Sequence, residues 1–287
     1  MIPTDPRQPF VLSLFPGIGI LDSAFEAEGF TVVRGPDLLC GGDIKKFHPP
    51  AGRFDGVIGG PPCQAFSALR HLVKATGHTL RYGNLIPEFE RCVSEAAPTW
   101  FLMENVRGAP IPAVDGYQLD PFLYNARWLG MEQSRLHRFT FGHLAGARMK
   151  PHLEFEVFEN IDWSRRVLAS GGYVPCQLAG GNHVQAGDPR PLKETAAARR
   201  FNGGRLPHEP NRPNQRMSLL GRKDTKYFNE ARRLQGLPDD WDVPGFTVAS
   251  KIMVLGVAVP YPMGRALARA VRCALDLPAT AQKAGTV

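Results

Sequence analysis

Phe10-Val11-Leu12-Ser13-Leu14-Phe15-Pro16-Gly17-Ile18-Gly19-Ile20-Leu21-Asp22-Ser23-Ala24-Phe25-Glu26-Ala27-Glu28-Gly29 is the stretch that decides the fold class. Its first five residues are apolar except for Ser13, which is the length and character of a buried strand. Phe15 to Gly19 then makes a tight loop. Leu21, Ala24 and Phe25 recur at helical spacing, and Gly29 ends the pattern. Strand, glycine loop, helix is the opening of a nucleotide-binding βαβ unit, in which glycines let backbone N–H groups approach a ligand at a helix N-terminus. Taken alone, the same spacing also fits a compact turn.

Working outward, the 287 residues are enough for one large α/β domain and a smaller one. Hydrophobic residues make up 43% and charged residues 21%, which suits a soluble globular protein rather than a disordered chain. No apolar run is long enough to span a membrane, and Met1-Ile2-Pro3-Thr4-Asp5-Pro6-Arg7 has no secretory core. The expected location is cytoplasmic. Cys40, Cys63, Cys92, Cys176 and Cys273 show no C-x-x-C spacing, which argues against a zinc site and a disulfide framework, so no metal is expected. The net charge of +7 suits a polyanionic partner without choosing between DNA and RNA.

Thr31-Val32-Val33-Arg34 reads as the second strand, with Asp37 just past its end. Such folds often place an acid there on a ribose hydroxyl, although a solvated turn acid fits equally. Gly41-Gly42-Asp43-Ile44 turns the chain again, and the connection onward is too short for a crossover helix. Phe54-Asp55-Gly56-Val57-Ile58 is the next strand, stopped by Gly59-Gly60-Pro61-Pro62. Proline fixes its own φ while glycine reaches conformations closed to other residues, so Cys63 arrives on a stiff loop at a strand's carboxyl end. Open α/β sheets bind their ligands at that edge. Cys63 is therefore a candidate nucleophile, the bland alternative being a small buried hydrophobe beside a turn.

Ala68 to Gly83 is basic, aperiodic and reads as a mobile loop. Leu85, Ile86, Phe89 and Val93 mark an amphipathic helix, and Trp100 to Met103 a buried strand ending in Glu104-Asn105-Val106. A carboxylate at that strand end must be paired, protonated or functional. Tyr117 to Leu129 looks helical, and Gln133-Ser134-Arg135-Leu136-His137-Arg138 leads into a strand at Phe139 to Gly142. Regular α/β character then fades. In the later half of this irregular stretch Arg190, Lys193, Arg199, Arg200, Arg205, Arg212, Arg216, Arg222, Lys223 and Lys226 outnumber Asp188, Glu194, Glu209 and Asp224. Such a run suits loops gripping a phosphate backbone, or simply a solvated face. Asn229 to Gly236 reads as a short helix. After Val254 to Pro260, a final helix carries Leu267, Ala270, Val271, Ala274 and Leu275 on one face, expected to dock on the large domain.

In order along the chain, five motifs resemble those of the cytosine-5 methyltransferases of nucleic acids. Leu14 to Gly19 is similar to their S-adenosylmethionine loop, and Gly60-Pro61-Pro62-Cys63-Gln64-Ala65-Phe66-Ser67 to their nucleophile motif. Glu104-Asn105-Val106 is similar to the catalytic acid motif and Gln133-Ser134-Arg135 to the basic strand entry. Glu230 to Arg233 with Leu234-Gln235-Gly236-Leu237-Pro238 is similar to the motif that follows the target-recognition segment. The chain departs from the pattern at several positions. Ser13 stands for the usual Asp, Ile20 for a third glycine, Asn229 for an Arg before Glu230, and Val257 for the Asn of a closing Gly-Asn. His137 takes the second place of the usual Gln-x-Arg-x-Arg, with Arg138 one step later.

The resemblance implies an α/β, Rossmann-like S-adenosylmethionine methyltransferase domain with a smaller, irregular target-recognition domain. The expected division is a main catalytic part over 1–142, target recognition over 143–227, and a return to the catalytic domain over 228–287. It implies a DNA cytosine-5 methyltransferase that is a monomer on double-stranded DNA and uses S-adenosylmethionine. Cys63 would attack C6 of a flipped-out cytosine, Glu104 would hold N3 and the exocyclic amine, and Arg135 would hold O2. Phe15, Gly17, Ile18, Gly19, Asp37, Leu38, Asp43, Ile44, Pro62 and Leu85 would line the cofactor pocket. Three rivals remain: the same chemistry on transfer RNA, a non-catalytic DNA-binding relative, and an enzyme using a modified methyl donor.

Overall fold

The computed structural model describes residues 8–62, 83–131, 133, 135–150, 152–155 and 223–277. Cys63, most of the expected mobile loop after it, and the basic run from Arg190 to Arg222 lie outside the described residues. The chain divides into two compact units. One comprises Met1–Tyr124, His137–Glu156 and Tyr261–Val287, the other Asn125–Leu136 and Val157–Pro260.

Among the described residues the six strands are β1 (Phe10–Leu14), β2 (Thr31–Arg34), β3 (Gly56–Gly59), β4 (Trp100–Asn105), β5 (Tyr117–Asn125) and β6 (Leu136–Leu144). They form one sheet in the order β2-β1-β3-β4-β6-β5. β1, β2, β3 and β4 run parallel, and β6 joins β4 antiparallel. Parallel strands covered on both faces are apolar throughout rather than alternating. Accordingly every residue of β3 is buried, as are five of the six in β4. This is the α/β, Rossmann-like class that the opening stretch predicts.

Two helices cover one face. α1 (Ile20–Ala27) sets Phe25 against Trp100, ring centroids 6.5 Å apart, with Phe30 edge-on to the same indole. α5 (Tyr261–Ala274) packs on α1, and its Gly264 allows the approach, since a Cβ there would lie 2.7 Å from Ala24 Cβ. Glu28, which caps α1, binds Arg265 Nε at 2.6 Å and Arg269 Nη1 at 3.0 Å, so the two helices are joined by charge as well as area. The last helix docks as its apolar stripe predicts. The other face carries α2 (Ile86–Ala96), whose Phe89 meets Phe101 edge-on at 5.8 Å in a cluster with Leu12, Leu14, Val57 and Met103. Leu85, Ile86, Phe89 and Val93 are all buried there, as their spacing predicts. The large rings of β4 fit because glycines oppose them. A Cβ at Gly56 would overlap Trp100, its register partner, and one at Gly142 would overlap Phe101.

The stretch from Tyr117 to Leu129 corrects the helical expectation: it is strand β5 followed by a 3-10 turn at Ala126–Leu129. The apolar residues Leu119 and Leu123 are helix-spaced but half-exposed on the edge strand of the sheet. Pro121, which opposes a helix interior, is tolerated on such an edge.

In the second unit, α3 (Thr225–Leu234) starts four residues before the expected helix, because the Asp224 carboxylate caps it by accepting from Lys226 N. α4 (Val248–Val257) ends within the Val254 to Pro260 run that precedes the last helix and is not expected from the sequence. Thr247 Oγ1 caps it, accepting from Ser250 N. α3 packs against α4.

Candidate active site

The carboxyl ends of β1 and β2 meet at the glycine loop. Phe15 (φ 56°), Gly17 (φ 55°) and Gly19 (φ 76°) all take left-handed backbone, which reverses the chain within one turn so that α1 starts directly behind β1. Gly19 N donates to Pro16 O at 2.8 Å, closing that turn, and Gly19 caps α1. A side chain at Gly19 would collide with the guanidinium of Arg34. Asp37 binds this loop: one oxygen accepts from Leu39 N at 2.7 Å, the other from Gly17 N at 2.9 Å. One of the amides expected to face a ligand is therefore already answered by a carboxylate, which gives this end of the sheet an acidic rim. Ile18 is half-buried and Leu38 is exposed beside it.

Behind the loop, Ser13 Oγ donates to Asp22 Oδ1 at 2.5 Å. Asp22 Oδ2 lies 3.0 Å from Arg34 Nε, close enough for charge attraction but without hydrogen-bond alignment. Burial raises the Asp22 carboxyl above its ordinary value, outweighing the opposing pull of Ser13 and Arg34. Ser13, the departure from the usual Asp, is thus the donor that answers a buried acid.

Asp43 accepts from Lys45 N at 3.0 Å and starts a 3-10 turn that delivers Ile44 into the core cluster containing Leu85. Arg91 Nη2 donates to Ile44 O at 2.8 Å and anchors that turn to α2. Ile44 and Leu85, two of the expected cofactor contacts, are therefore parts of one apolar cluster, while Pro62 is half-buried at the end of the described segment 8–62.

At the end of β4, Asn105 Nδ2 donates to Pro61 O at 3.1 Å and holds the loop that leads to Cys63. Glu104 lies against the same loop: a Cβ at Gly60 would sit 2.6 Å from Glu104 Oε2. The other oxygen, Oε1, is in contact with His137 Nδ1. The β4–β6 register accounts for this pairing, since Glu104 opposes Phe139 and His137 lies two residues along on the same face. Arg138 falls on the opposite face and donates to Ala109 O at 2.5 Å. His137 stood out in the sequence only as a departure from the motif; the antiparallel pairing that brings it to Glu104 is not a local signal.

Arg135 is buried in the second unit. Its Nη1 donates to Gly256 O at 3.0 Å near the carboxyl end of α4, where a cation answers an orphan carbonyl and the helix dipole. Gln133 Nε2 donates to Leu234 O at 2.5 Å, at the end of α3. Gln235 contacts Leu255 O, linking the two helix ends.

The family profile of the C-5 cytosine-specific DNA methylases matches residues 41–110, which include the Gly60 to Cys63 loop and Glu104-Asn105-Val106. Over 93% of its length the chain is 24% identical to the type II methyltransferase M.NgoPII of Neisseria gonorrhoeae and covers 96% of that protein. Over residues 41–110 the chain is thus similar to the C-5 cytosine-specific DNA methylases. Another protein it resembles, the type II methyltransferase M.MthTI of Methanothermobacter thermautotrophicus, is 24% identical over 93% of this chain and 98% of that one. The fold is similar to that of a solved Spodoptera frugiperda DNMT2, with a TM-score of 0.54 and 14% identity over 92% of this chain and 99% of the other. Among the described residues of the chain, no group of His, Cys, Asp and Glu side chains could hold a metal ion. Nor is any helix there long and apolar enough to cross a membrane.

Proposed function

We propose that this chain is a DNA cytosine-5 methyltransferase that acts on a flipped-out cytosine of double-stranded DNA through a covalent Cys63 adduct. The observation that carries the reading is the bracing of the Cys63 loop by the end of β4. Asn105 holds Pro61 O, and Glu104 Oε2 lies over Gly60. This supports the reading because the segment that leads to Cys63 and the end of β4 that carries Glu104 are held to one another. C5 of cytosine is a weak nucleophile. Addition of the Cys63 thiolate to C6, with proton transfer from Glu104 to N3, makes C5 enamine-like. Arg135 is the proposed cation for O2. Once C5 carries the transferred methyl group, loss of the C5 proton and of Cys63, with return of the N3 proton to Glu104, restores the aromatic ring. The reacting ring face is stacked in a duplex, so extrusion costs roughly a few kcal/mol. The basic run from Arg190 to Lys226 supplies the charge to hold the backbone.

The residues present fit S-adenosylmethionine. The left-handed Phe15 to Gly19 loop with Asp37 across it offers an acidic, amide-bearing rim suited to a cationic nucleoside, and the Ile44–Leu85 cluster an apolar wall for its base. Phe15, Gly17, Ile18, Gly19, Asp37, Leu38, Asp43, Ile44, Pro62 and Leu85 would hold it. When bound it supplies an electrophilic methyl group. We further assign 1–142 and 228–287 to catalysis and 143–227 to target recognition, in a cytoplasmic monomer.

Cytosine-modification sequencing of DNA from cells expressing the chain tests this reading. Wild-type expression should give 5-methylcytosine at a defined sequence, and Cys63→Ala none. Methylation persisting in Cys63→Ala would remove Cys63 from the mechanism. Modification confined to transfer RNA would move the same chemistry to the other polymer.

A further inference from the structure

We propose that His137 is the positioning residue for Glu104. Its Nδ1 holds Oε1, so that Oε2, the oxygen over Gly60, is the one presented to the base. The inference rests on the reading of Glu104 as the acid of a cytosine-5 methyltransferase.

Three observations converge on it. The pleat puts positions 137, 139 and 141 of β6 on the face of Glu104, so the residue at 137 is its diagonal neighbour, whereas Arg138 points the other way and serves Ala109 O. Both partners are nearly enclosed, with side chains 10% exposed for His137 and 12% for Glu104, so their contact is poorly screened by water. The two carboxyl oxygens have different neighbours: imidazole on Oε1, and on Oε2 the backbone of Gly60, where a Cβ would come within 2.6 Å.

The chemistry explains why an imidazole serves here. A guanidinium is a permanent cation and would bias its partner towards the carboxylate in every state. A neutral imidazole can donate Nδ1–H to a carboxylic acid and keep donating after that acid has given up its proton. In the proposed step the Cys63 Sγ–C6 bond forms while the Glu104 Oε2–H bond breaks and the base N3–H bond forms. His137 transfers no proton. Its bond to Oε1 changes from neutral to charge-assisted at that moment and is strengthened roughly twofold. An interaction stronger in the transition state than in the ground state acts on kcat rather than on KM.

His137→Phe keeps a ring of similar size and removes the donor; His137→Asn keeps an N–H donor near the place of Nδ1. The measurement is methyl transfer from labelled S-adenosylmethionine to unmethylated genomic DNA, with KM for each substrate. His137→Phe should lower kcat about 10- to 100-fold, the worth of one hydrogen bond to a charged group, with both KM values little changed. His137→Asn should restore most of the loss. Wild-type kcat in His137→Phe, or equal damage in both variants, would overturn the positioning role while leaving the methyltransferase reading intact. If the wild-type chain methylates neither DNA nor transfer RNA, the methyltransferase reading falls and the role of His137 falls with it. A further measurement needs no variant at 137. The imidazole nitrogen resonances of His137 should shift on Glu104→Gln, and unchanged resonances would refute the pairing.

Discussion

Asp22 and Glu104 are two carboxylates of the same compact unit, and they are built in opposite ways. Asp22 is fully buried at the start of α1, with Ser13 donating to one oxygen and Arg34 beside the other. Glu104 is only mostly covered, with His137 on one oxygen and the bare Cα of Gly60 by the other. An acid with protein groups on both sides can only stabilise the fold. An acid with one side held and the other facing a residue without a side chain can also meet a substrate. Burial decides that Asp22 is structural; Glu104, held by His137 through one oxygen and with Gly60 beside the other, is the acid we propose for the chemistry.

The largest effect expected from breaking this contrast is at Glu104. Glu104→Gln keeps the shape and removes the acid, so kcat for methyl transfer should fall by about 10²–10⁴. The melting temperature should barely move. A large drop in melting temperature with kcat preserved would make Glu104 a second Asp22.

Asp22→Ala should show the converse. It strands the buried Ser13 hydroxyl at a cost of about 1–3 kcal/mol, which lowers the melting temperature by roughly 3–10 °C. Turnover below the melting range should survive. A pH series of denaturant unfolding sharpens the point. Because burial raises the Asp22 carboxyl, the folded state binds more protons than the unfolded chain between the ordinary value, about 3.9, and the raised one. Asp22 therefore makes stability fall as pH rises through that window, and Asp22→Asn should remove this component. An identical slope in the variant would show that Asp22 is not desolvated as described.

The smallest effect is expected at Asp37, the acid that faces the rim rather than the core. Asp37→Asn can accept only one of the two amide bonds well, a loss of about 0.5–1.5 kcal/mol. Calorimetric titration should then show S-adenosylmethionine binding weakened about three- to tenfold. Unchanged affinity would return Asp37 to the role of an ordinary turn acid.

Much of this unit is legible along the chain because its signals are local. The apolar run of β1, the left-handed positions of the loop and the helical spacing of α1 lie within twenty residues of one another. Each acts through backbone conformation or periodicity that needs no distant partner. The apolar face of α2 and the stiff Gly60-Pro61-Pro62 turn are of the same kind. The failures are of the opposite kind. Leu119 and Leu123 mimic a helix, but pairing beside β6 makes β5 a strand, and an edge strand accepts Pro121. α4 has no counterpart in the sequence reading, where Val254 to Pro260 is only the run before the last helix; the cap at Thr247 and its packing against α3 decide it.

The candidate site divides along the same line. From the sequence alone come the fold class, the acid Glu104, the loop that carries Cys63, and the acid Asp37 beyond β2, since each is a residue type at the carboxyl end of a recognisable strand. Only tertiary structure decides what those residues touch. Asp37 reaches across 20 residues to Gly17 N, and Ser13 answers Asp22. Arg135 ends on the α4 carbonyl of Gly256, and His137 comes to Glu104. The reason is physical. Strand and turn formation are governed by near neighbours, whereas the register of β6 against β4 is a choice among pairings 33 residues apart. A one-residue slip would have turned Arg138, not His137, towards the acid.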